Sequence, residues 1–190
     1  MIHMHSQELL SVFPQSGMQQ RDFNFSGIEI DSRKNCAGML FTAIRGDAFD
    51  GHQFVADAAR KGAVAVAVEK PVTVDIPQIV VKDTRQALAR LARYWRRKIN
   101  PLVISITGSN GKTTVKEMLG RILSSQAATL VTPGNFNNDI GVPLTLFKLS
   151  EQDRYAVIEM GANHAQEIRN LVAIAEPDVV YVNNAQAAHL

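Results

Sequence analysis

The sequence lacks the raw material for several kinds of protein. It has a single cysteine, Cys36, which excludes an internal disulfide and a zinc site built from cysteines. A small, semi-buried side chain is the plain account of that thiol. It has almost no excess of charge: 20 basic against 18 acidic residues leave a net +2. That balance gives no general case for binding nucleic acid or a membrane surface. No stretch approaches the roughly 18 consecutive apolar residues of a membrane span. The opening Met1-Ile2-His3-Met4-His5 has neither the basic start nor the apolar run of a secretory signal. There is no internal repeat and no low-complexity segment. The expectation is a cytoplasmic protein. What the 190 residues do hold is 46% hydrophobic and 20% charged side chains. That composition is globular, with apolar mass for one large domain or two small ones.

The chain is expected to divide near Asn100-Pro101, because proline disfavours helix at the residue before it. Before that point the pattern predicts helix over 5–13 and strands over 27–31 and 39–44. Helix over 52–61, a buried strand over 63–68 and a short strand over 79–81 follow. A helix over 84–99 carries Leu88, Leu91, Trp95 and Ile99 at helical spacing. Its other face bears Arg85, Arg90, Arg93, Arg96, Arg97 and Lys98, read as a solvated face rather than an anion site. After Pro101, strands over 102–106, 129–131, 155–159 and 178–182 alternate with helices over 113–124 and 164–174. Alternation of this kind predicts a parallel sheet covered on both faces, an α/β fold. The expected domains are 1–84, a helical connector over 85–100, and a second domain over 101–190.

Thr107-Gly108-Ser109-Asn110-Gly111-Lys112-Thr113-Thr114 lies between the apolar run Leu102-Val103-Ile104-Ser105-Ile106 and the helical pattern that begins at Val115. Strand, glycine loop, helix is the setting of a phosphate-binding loop. Glycines let backbone N–H groups approach a polyphosphate, and the helix N-terminus adds donors and partial positive charge. Lys112 is placed to reach the β- and γ-phosphates of ATP, and the Thr113 hydroxyl to bind Mg2+. The common loop has four residues between its glycines; here only Ser109 and Asn110 intervene. Glu159 ends an apolar strand, where a carboxylate can hold Mg2+ together with phosphate oxygens and water. In Gly134 to Pro143, Asn135, Asn138 and Asp139 are candidates for binding, although turn chemistry explains part of the segment equally well. His189 alone reads as a surface histidine or a metal ligand, and His164 as structural. Asp31-Ser32-Arg33 can offer a hydroxyl and a guanidinium to a phosphate; a capped turn with a surface ion pair fits it as well.

The short loop, the Ile30-Asp31-Ser32-Arg33 segment with Leu40 to Gly46, the Gly134 to Pro143 segment, and Ile158 to His164 with Asn183-Asn184 and Ala188-His189-Leu190 together resemble the Mur ligase family. Within that family they resemble the branch that adds D-alanyl-D-alanine to UDP-N-acetylmuramoyl-tripeptide in peptidoglycan synthesis. One departure lies at Gln166, where the family pattern leads us to expect glycine. The resemblance implies a small α/β UDP-substrate domain followed by a truncated parallel-sheet ATP domain, with the C-terminal domain absent. It implies phosphoryl transfer from ATP to the tripeptide carboxylate, then attack of the D-alanyl-D-alanine amine on the acyl phosphate. Lys112, Glu159 and His189 are then the catalytic residues, with Thr113, Glu159 and His189 on Mg2+. Gly108, Ser109, Asn110, Gly111, Lys112, Thr113, Thr114, Asn135, Asn138 and Asp139 line the nucleotide, and Asp31, Ser32 and Arg33 the UDP-sugar. The full-length protein is expected to be a monomer, and the chain alone to be inactive. Two alternatives are a non-catalytic nucleotide-binding module and a folylpolyglutamate-synthase-like ligase; the first hundred residues argue against the latter.

Overall fold

A computed structural model describes residues 1–14, 21–46 and 49–185. It divides into two compact units, the first running to Leu88 and the second starting at Ala89. The first unit contains β1 (His3–His5), α1 (Ser6–Val12), β2 (Asn24–Ser26), β3 (Ile28–Glu29), β4 (Leu40–Thr42), α2 (Val55–Arg60), β5 (Ala65–Val68) and β6 (Gln78–Val80), with a 3-10 turn over Gly51–Phe54. β3, β4, β5 and β6 form a parallel sheet in that order, and β1 pairs antiparallel with β2. All four residues of β5 are buried, as an apolar strand covered on both faces requires. The core of this unit gathers Cys36, Phe41, Val55, Ala58, Val66 and Val68, so the thiol is fully buried as packing. The β1–β2 pair is an addition to the sequence reading. Its three-residue strands are too short to show a period of two.

Helix α3 (Thr84–Ile99) starts where Asp83 accepts a hydrogen bond from Gln86 N–H at 2.9 Å, a side-chain cap of the kind aspartate supplies. It stops at Asn100, which takes a left-handed φ of 53° just before Pro101. From Ala89 onward α3 belongs to the second unit. Trp95 is 1% exposed and donates Nε1–H to Leu149 O at 3.1 Å.

The second unit continues with β7 (Leu102–Thr107), α4 (Lys112–Ser124), β8 (Thr129–Val131), α5 (Gly141–Leu146), β9 (Tyr155–Glu159), α6 (Glu167–Ala175) and β10 (Val179–Val182). Its sheet is parallel throughout, in the order β10-β7-β9-β8. The α/β expectation holds, and β7 carries its loop from an interior position. Gly120 of α4 lies so close to β8 that an added Cβ would come within 2.7 Å of Val131 Cγ2. α5 falls in a stretch the sequence presents as turn.

The basic face of α3 departs from its solvated reading at one residue. Arg96 is 6% exposed and reaches across the C-terminus of α6. Its Nε donates to Ala175 O at 3.0 Å, and its Nη2 to Glu176 O at 2.8 Å and Asp178 Oδ2 at 3.0 Å. It thus satisfies carbonyls that a helix end leaves unpaired. Glu176, itself at a left-handed φ of 43°, binds Arg97 and Arg93 at 2.5–2.7 Å. The hydrogen bond from Arg97, aided by Arg93, pulls its carboxyl from the ordinary 4.5 down to about 2.

Two outcomes follow for the second unit. Replacing Arg96 by Met leaves the Ala175 and Glu176 carbonyls without their side-chain donor and Asp178 Oδ2 with only the Val103 N–H, and should cost about 2–3 kcal/mol. Urea unfolding followed through Trp95, the only tryptophan, measures it. A carboxyl with a depressed folded-state pKa stabilises above its unfolded value and loses that contribution as pH falls. Stability should therefore drop between about pH 4.5 and pH 2, the interval set by Glu176. Glu176→Gln should flatten that part of the pH profile.

Candidate functional site

The loop between β7 and α4 is shaped by its glycines. Gly108 has φ 145° and Gly111 φ 74°, both in the left-handed region that side chains avoid. At Gly111 an added Cβ would also lie 2.7 Å from Asn183 Nδ2. Asparagines past the end of β10 grip the loop. Asn183 Nδ2 donates to Asn110 O at 2.7 Å, Asn110 N–H donates to Asn184 Oδ1 at 3.0 Å, and Ser109 N–H donates to Asn184 O at 3.2 Å. α4 then starts at Lys112 with no side-chain cap and no acidic residue in its first turn. Its leading N–H groups and dipole are left for an anion. The Lys112 ammonium folds back onto the loop and donates to Gly108 O at 2.6 Å.

Glu159, at the C-terminal end of β9, lies beneath this helix start and is 2% exposed. Its two oxygens have separate partners. Oε2 accepts from the Thr113 hydroxyl at 3.0 Å, and Oε1 from Asn137 Nδ2 at 2.8 Å. Lys116, one turn into α4 and fully buried, brings its ammonium to 3.8 Å from Oε2. That ammonium also donates to Gly134 O at 3.1 Å. The Glu159 backbone N–H donates to Thr132 Oγ1 at 2.9 Å. Among the described residues no group of three or more His, Cys, Asp or Glu side chains could enclose a metal. One carboxylate beside an exposed hydroxyl, next to a phosphate-type loop, instead fits Mg2+, which takes few protein ligands and completes its shell with phosphate and water.

The sequence candidates are placed unequally. Gly108, Ser109, Asn110, Gly111, Lys112, Thr113 and Thr114 form the loop and helix start, with Glu159 against Thr113. Asn138 is spent on structure: its Oδ1 accepts from Ile140 N–H at 3.2 Å and Gly141 N–H at 2.8 Å, holding the turn into α5. Asn135 and Asp139 are exposed on the same segment. The amide on the carboxylate belongs to Asn137, a neighbour the sequence reading did not select. Lys116 was missed as well, because a lysine in a helix reads as solvated. Its one available signal is its place four residues after Lys112 on the same helix face. His189 lies outside the described residues. His164 is exposed and gives its backbone N–H to Glu167.

In the first unit, Asp31 and Arg33 form a bidentate ion pair at 2.8–2.9 Å. That pair, led by the Arg33 side-chain hydrogen bond, holds the Asp31 carboxyl far below the usual range. The Arg33 side chain is 88% exposed, so its outer face is open to a ligand. Lys61 braces the turn from behind, donating to Ser32 O at 2.7 Å and Arg33 O at 2.9 Å. Ser32 itself is buried.

Residues 24–96 match the Mur ligase family, catalytic domain, and residues 106–190 match the Mur ligase middle domain. The chain belongs to the Mur ligase family. It is 44% identical over its whole length to the UDP-N-acetylmuramoyl-tripeptide–D-alanyl-D-alanine ligase of Haemophilus influenzae. It is 47% identical over 91% of its length to the Escherichia coli enzyme of the same name. A crystal structure of MurF from Acinetobacter baumannii superposes on all of it with a TM-score of 0.92 at 42% identity, this chain covering 42% of that one. MurF from Thermotoga maritima in complex with ADP matches 83% of this chain and 37% of its own length at TM-score 0.76 and 36% identity. The chain spans 43% and 38% of the Haemophilus and Escherichia relatives.

The departure at Gln166 has a physical consequence. Gln166 precedes α6 with a left-handed φ of 73°, a conformation that favours glycine. Gln166→Gly should stabilise the second unit by about 0.5–1 kcal/mol, measured as a rise in the urea midpoint of the Trp95 signal.

Proposed function

We propose that this chain is the leading part of an ATP-dependent ligase that adds D-alanyl-D-alanine to UDP-N-acetylmuramoyl-tripeptide. The observation that carries the reading is the hydrogen bond from Thr113 at the head of α4 to the buried Glu159, set beside the glycine loop in a chain 44% identical to a ligase of that name. That the Thermotoga relative was solved in complex with ADP supports a nucleotide as the ligand of this fold; the glycine loop and uncapped start of α4 are where we place it. The second unit takes the nucleotide and the first the UDP-sugar.

In this reading the polyphosphate lies across the N–H groups of Gly108 to Thr114. Lys112 exchanges Gly108 O for the β- and γ-phosphates, where its charge offsets what accumulates during transfer. Thr113 and Glu159 hold Mg2+, which when bound neutralises phosphate charge. His189 belongs to the same proposal as a further ligand. Asn137, through Glu159, and Asn138, through the turn it holds, fix the amide-rich segment; Asn135 and Asp139 face the substrates from it. The tripeptide carboxylate attacks the γ-phosphorus, ADP leaves, and the amine of D-alanyl-D-alanine displaces phosphate from the acyl phosphate. The protein's part is alignment and charge neutralisation, not covalent help. The Arg33 guanidinium, oriented by Asp31, contacts a phosphate of the UDP-sugar through its exposed face.

Calorimetry with ADP in the presence of Mg2+ tests the nucleotide half. The chain should bind ADP. Lys112→Ala should weaken binding at least about tenfold, which one lost charge-assisted contact is worth. Binding that survives unchanged in Lys112→Ala would remove the loop from the nucleotide site. The chain alone should form no peptide product.

A further inference from the structure

Lys116 is the buried charge that the proposed chemistry leaves without a task. Its side chain is 0% exposed, and Glu159, 3.8 Å away, is 2% exposed. A carboxylate removed from water needs a counter-charge or a full set of donors. Thr113 and Asn137 supply two neutral donors; Lys116 supplies the charge. The ammonium cannot swing away into solvent. It is fixed by Gly134 O at 3.1 Å and by the Glu117 carboxylate at 3.1 Å. A divalent cation arriving at Glu159 Oε2 would meet this fixed positive charge a few ångströms off.

We propose that Lys116 is the resident counter-cation of Glu159. It is a positioning residue that balances the carboxylate in the nucleotide-free protein. It thereby makes divalent-cation binding weak until nucleotide phosphates add negative charge. This rests on the reading of Glu159 as the Mg2+ carboxylate. Through Gly134 the same ammonium ties the start of the amide-rich segment to Glu159, so the carboxylate and Asn137 are held in one register.

The test uses Mn2+ alone as the probe, with free ion counted by electron paramagnetic resonance, on nucleotide-free chain. Lys116→Met removes the ammonium, while Lys116→Gln removes the charge and keeps a donor for Gly134 O. Both should bind Mn2+ roughly tenfold more tightly than the unaltered chain, the scale of one removed like charge at short range. Both should unfold at lower temperature in EDTA and recover more on adding Mg2+ than the unaltered chain does. Adding Glu159→Gln to Lys116→Met should abolish the tighter Mn2+ binding and raise the EDTA midpoint above that of Lys116→Met alone. A merely structural lysine would lower the midpoint without touching Mn2+ affinity. Mn2+ binding that is unchanged or weaker in the folded variants overturns the proposal, as does a stability loss that Mg2+ leaves in place. Should Lys116→Met fail to fold with and without Mg2+, Lys116→Gln decides the matter by the same readings. ADP binding by the unaltered chain, run alongside with Mg2+, reports on the nucleotide reading separately.

Discussion

The second unit depends on keeping one carboxylate charged and oriented where water hardly reaches. Glu159 ends an interior strand of the sheet; its backbone lies opposite Ile106 of β7 on one side and gives its N–H to Thr132 Oγ1, just past β8, on the other. Desolvating a carboxylate costs several kcal/mol unless partners replace the water. Here they come from three places: Thr113 and Lys116 on α4, and Asn137 on the segment after β8. The helix, the strand and the loop are therefore tied to the same two oxygens. The close approach of α4 to β8 at Gly120 lets the helix sit low enough for both of its residues to reach.

The other end of the same unit solves the matching problem for backbone. α6 ends in carbonyls with no helical partner, and Arg96 supplies donors to them from α3. A guanidinium suits this because its planar fork places several N–H groups at once. The cluster at Glu176 adds exposed pairs, which contribute little individually but hold that carboxyl well below its ordinary pKa. Buried Arg96 acts by satisfying backbone acceptors, and partly exposed Arg93 and Arg97 by holding one carboxylate.

Much of this was legible in the sequence wherever the signal is periodic or local. α3 has apolar residues at helical spacing and ends at a residue before proline, so its limits are readable to the residue. The apolar runs of β5, β7 and β9 announce a parallel sheet, and the glycine loop announces its own geometry. What escaped is short or long-range. β1, β2 and α5 are too brief to display a period, and α5 is hidden in an asparagine-rich turn. Asn138 was selected over Asn137 because composition cannot say which of two adjacent amides faces inward. Lys116 was passed over because nothing local marks a lysine as buried; its partners lie 18 and 43 residues downstream, at Gly134 and Glu159. Arg96 was read as solvated for the same reason.

The polar contacts around the loop fall into two kinds, and the difference bears on what the site can do. Lys112 binds carbonyls of its own loop, partners that a phosphate, as a charged acceptor, can outcompete. The uncapped N–H groups of α4 likewise have only solvent to give up. Glu159 and Lys116, by contrast, are themselves almost wholly buried, so the contacts of the carboxylate with Lys116 and Asn137 and of the ammonium with Gly134 O cannot be given up without loss. The loop is thus built from exchangeable contacts laid over a permanent polar base. Such a base lowers the reorganisation needed when charge develops above it, which is the condition under which preorganised dipoles and charges accelerate transfer. An arrangement with the reverse assignment, a mobile carboxylate beneath a rigidly satisfied lysine, would leave no exchangeable donor at the loop and no fixed charge beneath it.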